Sequence, residues 1–308
     1  MARFALLAMG KLGGREIDYH SDLDIIFVFD PQGETQGGSL GRRISNLEYF
    51  VKIAQRIITI MTLRTTEGNL YEIDTRLRPS GNAGPLVTTL ESFERYHAES
   101  AQVWERQALI KARAVAGDTE LGERLERAAR RFAYERPWEL AVAEEIARMR
   151  ARMEKEIARE QAGVLNLKTG RGGIVDVEFA VQLLQLRYGA GKSALQAPNT
   201  LSALGALRAA GHLPPAEADA LAGGYTFLRT LEDRLRLLRN RSTSELDSTE
   251  PDLEKLARRL GYAGGPGDAG DALLEAHRMY ADRIREIYDR IVARHGAQAN
   301  APARGEVG

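Results

Sequence analysis

Two short apolar runs separated by a glycine-rich stretch constrain the fold of this chain more than any other feature of its sequence. Phe4–Met9 and Leu23–Phe29 are rich in aliphatic, β-branched and aromatic residues and end at turn-forming residues, which predicts two buried strands. Apolar residues at every third or fourth position predict a helix over 43–63. A third strand is predicted over Leu70–Arg78 and a short helix over Leu90–Ser100. The first part of the chain is therefore an α/β region.

From about Asp118 onward the pattern becomes almost purely helical. Apolar spacing, interrupted by glycine and proline, predicts helices over 143–162, 174–188, 200–210, 216–240, 252–260 and 271–295. We therefore divide the chain into an α/β domain over 1–118, a helical bundle over 119–295 and a disordered tail over 296–308. Because the first domain opens directly on a buried strand, we expect it to be truncated at its N-terminus.

The composition excludes several classes of protein. The 308 residues include no cysteine, which rules out a disulfide scaffold, a cysteine-ligated zinc site, an iron–sulfur cluster and a thiol nucleophile. Basic and acidic residues number 43 each, so the neutral chain is not expected to bind nucleic acid or anionic membranes. No apolar run approaches the roughly 20 residues that cross a bilayer, and the start of the sequence lacks the long apolar core of a secretion signal. We expect a soluble, cytoplasmic protein.

The first group of residues with chemical potential surrounds the start of the second strand. Asp22 and Asp24 are two positions apart there, so both carboxylates are expected on one face, about 6.6 Å apart along the backbone. Such a pair can share Mg²⁺ ions with substrate phosphates. Taken alone, Asp-x-Asp more often marks a solvated turn. The preceding glycines of Gly10–Gly14 would allow the backbone to approach a phosphate closely.

A second group lies on the predicted strand Leu70–Arg78. One face carries two carboxylates and then two guanidiniums, from Glu72, Asp74, Arg76 and Arg78. A half-exposed strand also alternates polar and apolar residues, so this pattern alone leaves an ordinary surface strand open. Arginine, however, has the geometry for bidentate phosphate contacts. A third carboxylate beside the Asp-x-Asp pair would complete a two-metal phosphoryl-transfer site.

Five ordered motifs resemble those of a known family. They are Gly10–Glu16 (GKLGGRE), Ser21–Asp24 (SDLD), Asp74–Pro79 (DTRLRP), Trp104–Arg113 (WERQALIKAR) and Gly172–Phe179 (GGIVDVEF). Together they resemble the glutamine synthetase adenylyltransferase/adenylyl-removing enzyme family over nearly the whole chain. The resemblance implies an α+β fold, in which a polymerase-β-type nucleotidyltransferase catalytic domain over 1–118 precedes an all-α helical bundle. It also implies Mg²⁺ as the cofactor and ATP as a substrate.

The family motifs assign roles to particular positions of this chain. The resemblance implies that the catalytic and metal-binding carboxylates are Asp22, Asp24 and Asp74. It implies that the nucleotide- and phosphate-binding residues are Gly13, Gly14, Ser21, Arg76 and Arg78. In the transfer reaction Asp74 would also help to deprotonate the attacking hydroxyl.

Other polar residues keep two interpretations each. His20 is read as an exposed loop histidine, with a proton shuttle as the alternative. Lys11 is read as a loop-shaping or surface residue, with a phosphate contact as the alternative. Lys111 and Arg113 fit either a strand edge that faces phosphate or a solvated pair. Asp176 fits either a helix cap or a helix turn that closes over the nucleotide.

The resemblance also implies a function. Family members are long bifunctional chains, in which one module transfers AMP from ATP to a tyrosine of glutamine synthetase and the other removes it by phosphorolysis, releasing ADP. At 308 residues this chain would be part of one module. The stretches 70–88 and 103–118 favour the transferase, whereas 131–233 has features of the adenylyl-removing module, which remains the alternative.

The expected partners are glutamine synthetase and, through the full-length enzyme, the PII signalling protein, with no nucleic acid and no membrane. Two further alternatives remain open. One is a nucleotidyltransferase that acts on PII or on RNA, although neutral charge disfavours RNA. The other is a non-catalytic module that binds nucleotide or a partner, which the intact set of aspartates disfavours.

Overall fold

A computed structural model describes residues 2–37, 41–66, 68, 70–158, 160 and 163–296. The chain divides into two compact units, one formed by Met1–Arg136 with Tyr188–Ala203 and the other by Pro137–Arg187 with Leu204–Gly308. The first unit thus extends past residue 118, the predicted end of the catalytic domain. Of the predicted tail, Gly296 ends a helix and the remainder lies outside the described residues.

A five-stranded mixed sheet forms the centre of the first unit. Its strands are β1 (Arg3–Ala8), β2 (Leu23–Asp30), β3 (Ile73–Asp74), β4 (Val87–Thr89) and β5 (Arg113–Gly117). The order is β3-β2-β1-β5, and β4 also pairs with β2. The β1 strand is antiparallel to β2 and β5, whereas β3 and β4 run parallel to β2. This mixed sheet, with helices around it, confirms the predicted α+β class.

Among the described residues before Pro137, five α-helices accompany the sheet. They are α1 (Gly10–Gly13), α2 (Asn46–Thr62), α3 (Leu90–Glu99), α4 (Val103–Ala108) and α5 (Thr119–Tyr134). The α2 helix begins at Ser45, whose hydroxyl accepts a hydrogen bond from the backbone N–H of Glu48 at 3.1 Å. Its Phe50 joins Phe27 and Phe29 of β2 in the core. The α5 helix, which the sequence pattern did not predict, packs against β1 and β5 and extends the first unit past residue 118.

The third predicted strand is mostly wrong. Of Leu70–Arg78, only Ile73 and Asp74 pair with β2. The chain turns directly afterwards, since the backbone N–H of Arg78 donates to the carbonyl of Thr75 at 3.2 Å. The alternation of polar and apolar residues therefore continued beyond the strand into a turn, where it no longer places side chains on a common face.

The second unit is largely helical, as predicted. Its helices are α6 (Leu140–Met153), α7 (Ile174–Tyr188), α8 (Thr200–Ala209), α9 (Pro215–Arg239), α10 (Asp252–Arg259) and α11 (Asp268–Gly296), where the end of α7 and the start of α8 belong to the first unit. A π-helical segment, Glu154–Ala158, follows α6. A short antiparallel ribbon of β6 (Val164–Asn166) and β7 (Glu245–Asp247) was not predicted. Within the described part of the chain, no helix is long and apolar enough to cross a membrane.

Helices of the second unit pack closely along their length. The rings of Phe227 in α9 and Tyr280 in α11 stack with centroids 4.6 Å apart. At Gly224 a side-chain Cβ would lie 2.7 Å from Cδ1 of Ile284, so a larger residue there would require the Ile284 side chain to shift. Most positions of α7 are buried, which is the pattern expected of a helix surrounded by protein.

Candidate active site

Two predicted site residues face each other across the parallel strand pair. Asp24 of β2 is the register partner of Asp74 of β3, so both side chains lie on one face of the sheet. Asp22 lies two positions before Asp24, at the entrance to β2, and is exposed. The structure thus brings the carboxylate-bearing ends of two separate segments to one edge.

The α1 helix fixes the surroundings of Asp24. The backbone N–H of Met9 donates to the carbonyl of Asp24 at 2.9 Å. Gly10 has a φ of 49°, and a Cβ at this position would lie 2.2 Å from Oδ2 of Asp24. Only glycine satisfies both the left-handed conformation and this close approach. The carboxylate of Asp24 therefore lies directly against the first residue of α1.

Arg76 is bound to Asp74. Its Nε donates to Oδ2 of Asp74 at 2.7 Å, its backbone N–H donates to Oδ1 at 2.8 Å, and its Nη2 also contacts Oδ2. Partial burial acts to raise the pKa of Asp74, but the hydrogen bonds and charge of Arg76 outweigh it and lower that pKa below its ordinary value. The same hydrogen bonds raise the pKa of Arg76, and the charges of Asp22 and Asp24 add to this effect. Three carboxylates and one exposed guanidinium therefore share this edge.

Arg78 makes several hydrogen bonds within the protein. Its buried guanidinium donates to the carbonyl and hydroxyl of Thr75 at 2.7 and 2.9 Å, and to the carbonyls of Pro85 and Gly84 at 3.1 and 3.4 Å. These bonds hold the turn that follows β3. Phosphate binding by Arg78 stays a prediction, in which phosphate would compete with these carbonyls for its donors.

The predicted phosphate-loop glycines also serve packing. A Cβ at Gly13 would lie 1.8 Å from the carbonyl oxygen of Lys111, and one at Gly14 would lie 2.8 Å from Oε2 of Glu16. Their backbone N–H groups donate to the carbonyls of Met9 and Gly10, at 2.8 and 3.1 Å. These two donors close the turn of α1. Phosphate binding at Gly13 and Gly14 stays a prediction.

Ser21 and Lys11 shape the loop that leads to Asp22. The hydroxyl of Ser21 donates to Oδ1 of Asp18 and accepts from the backbone N–H of Asp18 at 3.2 Å. The Nζ of Lys11 donates to Oδ2 of the same aspartate at 3.0 Å. Ser21 is buried in this loop cluster, and its predicted contact with phosphate stays a prediction. His20 beside it is exposed, with a left-handed φ of 57°.

Sequence reasoning missed the structural role of Glu16, which follows α1 and links it to two distant segments of the first unit. Its Oε2 accepts from Nζ of Lys111 at 2.6 Å, and its Oε1 accepts from the backbone N–H of Thr200 at 2.6 Å. Both members of the ion pair are buried. Arg113 donates to the carbonyls of Leu12 and Gly13 at the end of α1. Lys111 and Arg113 therefore support α1 and are neither a phosphate-facing edge nor a solvated pair.

Asp176, in the second unit, is part of a buried ion pair. Its Oδ1 accepts from Nε of Arg150 at 2.5 Å, and its Oδ2 accepts from the backbone N–H of Gly172 at 2.7 Å. Burial raises its pKa, although Arg150 and then Arg285 oppose the shift. These contacts favour the capping interpretation, because Asp176 fixes the glycine turn against the first turn of α7.

The three aspartates at the β2–β3 edge are the residues that could hold a metal ion. As placed, no three His, Cys, Asp or Glu side chains within the described residues are grouped to hold one. The oxygens of Asp74 are instead bonded to Arg76. The chemistry of the set still fits Mg²⁺, because carboxylate oxygens are its preferred protein ligands and one or two carboxylates suffice when substrate phosphates supply the rest.

A mixed sheet in which Asp22 and Asp24 flank the first residue of β2, opposite Asp74 on a parallel neighbour, fits a nucleotidyltransferase-like protein. Comparisons with known sequences identify the families within this class that the chain resembles. The model of the glutamate-ammonia ligase adenylyltransferase family matches residues 1–128, and that of the GlnD PII-uridylyltransferase family matches residues 144–292.

Individual relatives agree with these matches. The bifunctional glutamine synthetase adenylyltransferase/adenylyl-removing enzyme of Nitrosococcus oceani is 39% identical over 288 residues, which is 94% of this chain and 29% of the relative. The enzymes of that name from Hahella chejuensis and Pseudomonas aeruginosa are 40% and 38% identical, over 94% and 85% of this chain and 29% and 26% of the relatives. The chain belongs to this family, as predicted, and spans less than a third of the length of these relatives.

Proposed function

We propose that this chain catalyses transfer of AMP from ATP to a tyrosine hydroxyl of glutamine synthetase. The main support is the register pairing of Asp24 with Asp74, with Asp22 two positions before Asp24. Carboxylates in this arrangement suit a reaction in which negative charge on a triphosphate must be neutralised. The relatives named as glutamine synthetase adenylyltransferases support the choice of acceptor.

The three aspartates are proposed to hold Mg²⁺, which when bound would neutralise the charge on the triphosphate and its leaving pyrophosphate. Of the two predicted phosphate-binding arginines, Arg76 is the more exposed. Its side chain is 71% exposed, and the charges of Asp22 and Asp24 raise its pKa. Its guanidinium can bind two phosphate oxygens at once. We expect phosphate oxygens to compete with Asp74 for its donors.

The proposed role of Asp74 as a base is revised by its surroundings. A tyrosine hydroxyl has an ordinary pKa of about 10. Because Arg76 lowers the pKa of Asp74, this carboxylate has little tendency to accept a proton. Asp74 is therefore proposed as a ligand and as the residue that orients Arg76, and the proton of the hydroxyl is expected to leave by another group.

The adenylyl-removing reaction is the second candidate, because the relatives are named for both activities. It would use the same aspartates, with inorganic phosphate as the nucleophile. The match of residues 144–292 to the GlnD PII-uridylyltransferase model supports PII as a proposed partner of the helical part.

Labelled substrates separate the two reactions. Glutamine synthetase with α-labelled ATP should become labelled and release pyrophosphate if the chain is a transferase. Adenylylated glutamine synthetase with phosphate should release ADP if the chain is the removal module. Neither product from a folded chain would contradict both assignments and would favour a module that only binds.

The aspartates are tested in the same assay. Asp24→Asn should lower turnover by about a thousandfold, as loss of a charge-stabilising group at a phosphoryl-transfer site does. Glu91→Gln, which alters an exposed carboxylate of α3, is the matched control and should leave turnover unchanged. Unfolding curves of both variants should superimpose on the wild type, which separates a chemical defect from a folding defect.

A further inference from the structure

A cavity of about 520 Å³ lies in the second unit, at one end of the β6–β7 ribbon. Asn166 pairs with Glu245 across the ribbon, and the backbone N–H of Leu167 donates to the carbonyl of Ser244 at 2.8 Å. This pairing brings Lys168 and Arg241, which are far apart in sequence, to the lining of one cavity. The volume is within the range of small-ligand sites, about 300–1,000 Å³.

These two cations lack the partners that nearby arginines have. Arg239 pairs with Glu250, and Arg236 pairs with Glu232 at 3.0 Å. Among the residues that the structure describes, neither Lys168 nor Arg241 is within ion-pair distance of a carboxylate, and both are exposed. The lining also includes the carboxylate of Glu245, so with Arg236 neutralised by Glu232 the two unpaired cations leave a net excess of one positive charge at the cavity.

The cavity also contains preorganised polar groups. The guanidinium of Arg236, which lines it, is fixed by the carboxylate of Glu232 and by the carbonyl of Thr243 at 3.1 Å. Thr169 is 4% exposed, and its hydroxyl has no hydrogen-bond partner among the described residues. A buried hydroxyl without a hydrogen-bond partner costs stability, so a polar atom of a bound ligand is expected near it.

The lining of the cavity is apolar in part. Met153, at the end of α6, and Ile157, in the π-helical segment, line it, and Ile157 is 57% exposed. A lining that combines apolar side chains with cations and hydroxyls suits a ligand with an anionic end and a flat or aliphatic body.

We propose that this cavity binds a small phosphorylated ligand, with its phosphate on Lys168 and Arg241 and its apolar group against Met153 and Ile157. Arginine can hold two phosphate oxygens through parallel N–H donors, and lysine adds a point charge. The site is distinct from the β2–β3 carboxylates and does not depend on the proposed transfer reaction.

The position of Arg241 has a competing explanation. It follows the C-terminus of α9, where a cation is favoured by the helix dipole. In that case Arg241→Gln would change stability alone, and Lys168, which is not at that helix end, would have no part in binding.

The test is calorimetric titration of the full chain with AMP in the presence of EDTA, which removes metal-dependent binding at the carboxylates. Ribose 5-phosphate keeps the phosphate of AMP but lacks its base, and adenosine keeps the base but lacks the phosphate. Arg241→Gln and Lys168→Gln are the test variants. Arg259→Gln removes an exposed charge of α10 that does not line the cavity, and Asp24→Asn reports on the other site.

AMP is expected to bind more tightly than either probe. Each test variant should lower the affinity for AMP by about tenfold or more, as loss of a charged hydrogen bond does. The two control variants should bind AMP with the affinity of the wild type. The proposal is overturned if AMP does not bind at millimolar concentration, if adenosine binds as well as AMP, or if Lys168→Gln and Arg241→Gln leave its affinity unchanged.

Discussion

Two aspartate–arginine pairs, one in each unit, have the same chemistry in opposite surroundings. Arg76 follows Asp74 by two residues and is largely exposed, whereas Arg150 and Asp176 are 1% and 0% exposed. Burial raises the pKa of Asp176 despite its arginines, while the contacts of Arg76 lower the pKa of Asp74 against the effect of partial burial. An exposed ion pair contributes little to stability, and its arginine can leave the carboxylate to bind a ligand. In a buried ion pair each charge needs the other, so neither is free to bind a ligand.

Breaking the buried pair should have the largest effect. Arg150→Met removes the hydrogen-bonded partner of the buried Asp176, which keeps only Arg285 at 3.7 Å, and it also removes the bond from Nη2 to the carbonyl of Gly170, 2.7 Å long. We expect the free energy of unfolding to fall by about 3–5 kcal/mol in denaturant titrations. Arg148→Met, on the same helix but in an exposed pair with Glu145, should change it little. Equal losses for the two variants would contradict the distinction.

A second buried pair extends the comparison to the first unit. Lys111→Met removes the partner of Glu16 and should lower the free energy of unfolding by about 3 kcal/mol. Lys52→Met breaks an exposed pair with Glu48 and should have little effect in the same denaturant titration. A Lys111→Met protein as stable as the Lys52→Met protein would show that the Glu16 carboxylate finds another partner.

The pH dependence of stability should differ in sign between the two aspartates. Because the pKa of Asp176 is raised, its contribution is greatest at low pH and declines as the pH rises from about 3.8 through the raised value. Because the pKa of Asp74 is lowered, its contribution is present above about 3.8 and is lost as the pH falls through the lowered value. Unfolding free energies of Asp176→Asn and Asp74→Asn, each subtracted from wild type across this range, should slope in opposite directions. Parallel slopes would refute the assignment.

The smallest change in stability is expected for the exposed pair. Arg76→Gln should alter the free energy of unfolding by less than about 1 kcal/mol. It should nevertheless weaken the protection that ATP with Mg²⁺ gives against thermal unfolding, because a phosphate-binding group is lost. Arg95→Gln, which breaks an exposed pair with Glu91, should leave that protection intact. A large loss of stability in Arg76→Gln would mean that this pair, too, is structural.

Local periodicity predicted much of the fold. The strands β1 and β2 and the helices α7, α9 and α11 were anticipated to within a few residues, because each has a long or strongly apolar pattern. The pattern failed at Leu70–Arg78, where alternating residues form a two-residue strand and then a turn. Pairing across the sheet, rather than alternation along the chain, decides where such a strand ends.

The candidate site was predictable only in part. The position of Asp74 opposite Asp24 follows from recognising two strand segments. The bonds that occupy Arg78 and Ser21 are made with neighbours in folded loops, and the Glu16–Lys111 pair joins positions 95 residues apart. No local pattern in a single sequence encodes such distant partners, so residues that support the site resembled residues that act in it.

The return of residues 188–203 to the first unit has a consequence for the order in which this protein assembles during synthesis. Glu16 and Lys111 emerge first, but the N–H of Thr200 that completes their cluster is made only after the chain has passed through the segment 137–187 of the second unit. The loop that presents Asp22 therefore receives its last support only after residue 200 has been made. A chain cut after Arg136 would contain every residue of the β2–β3 edge and still lack this support, so shortened proteins should keep residues up to 203.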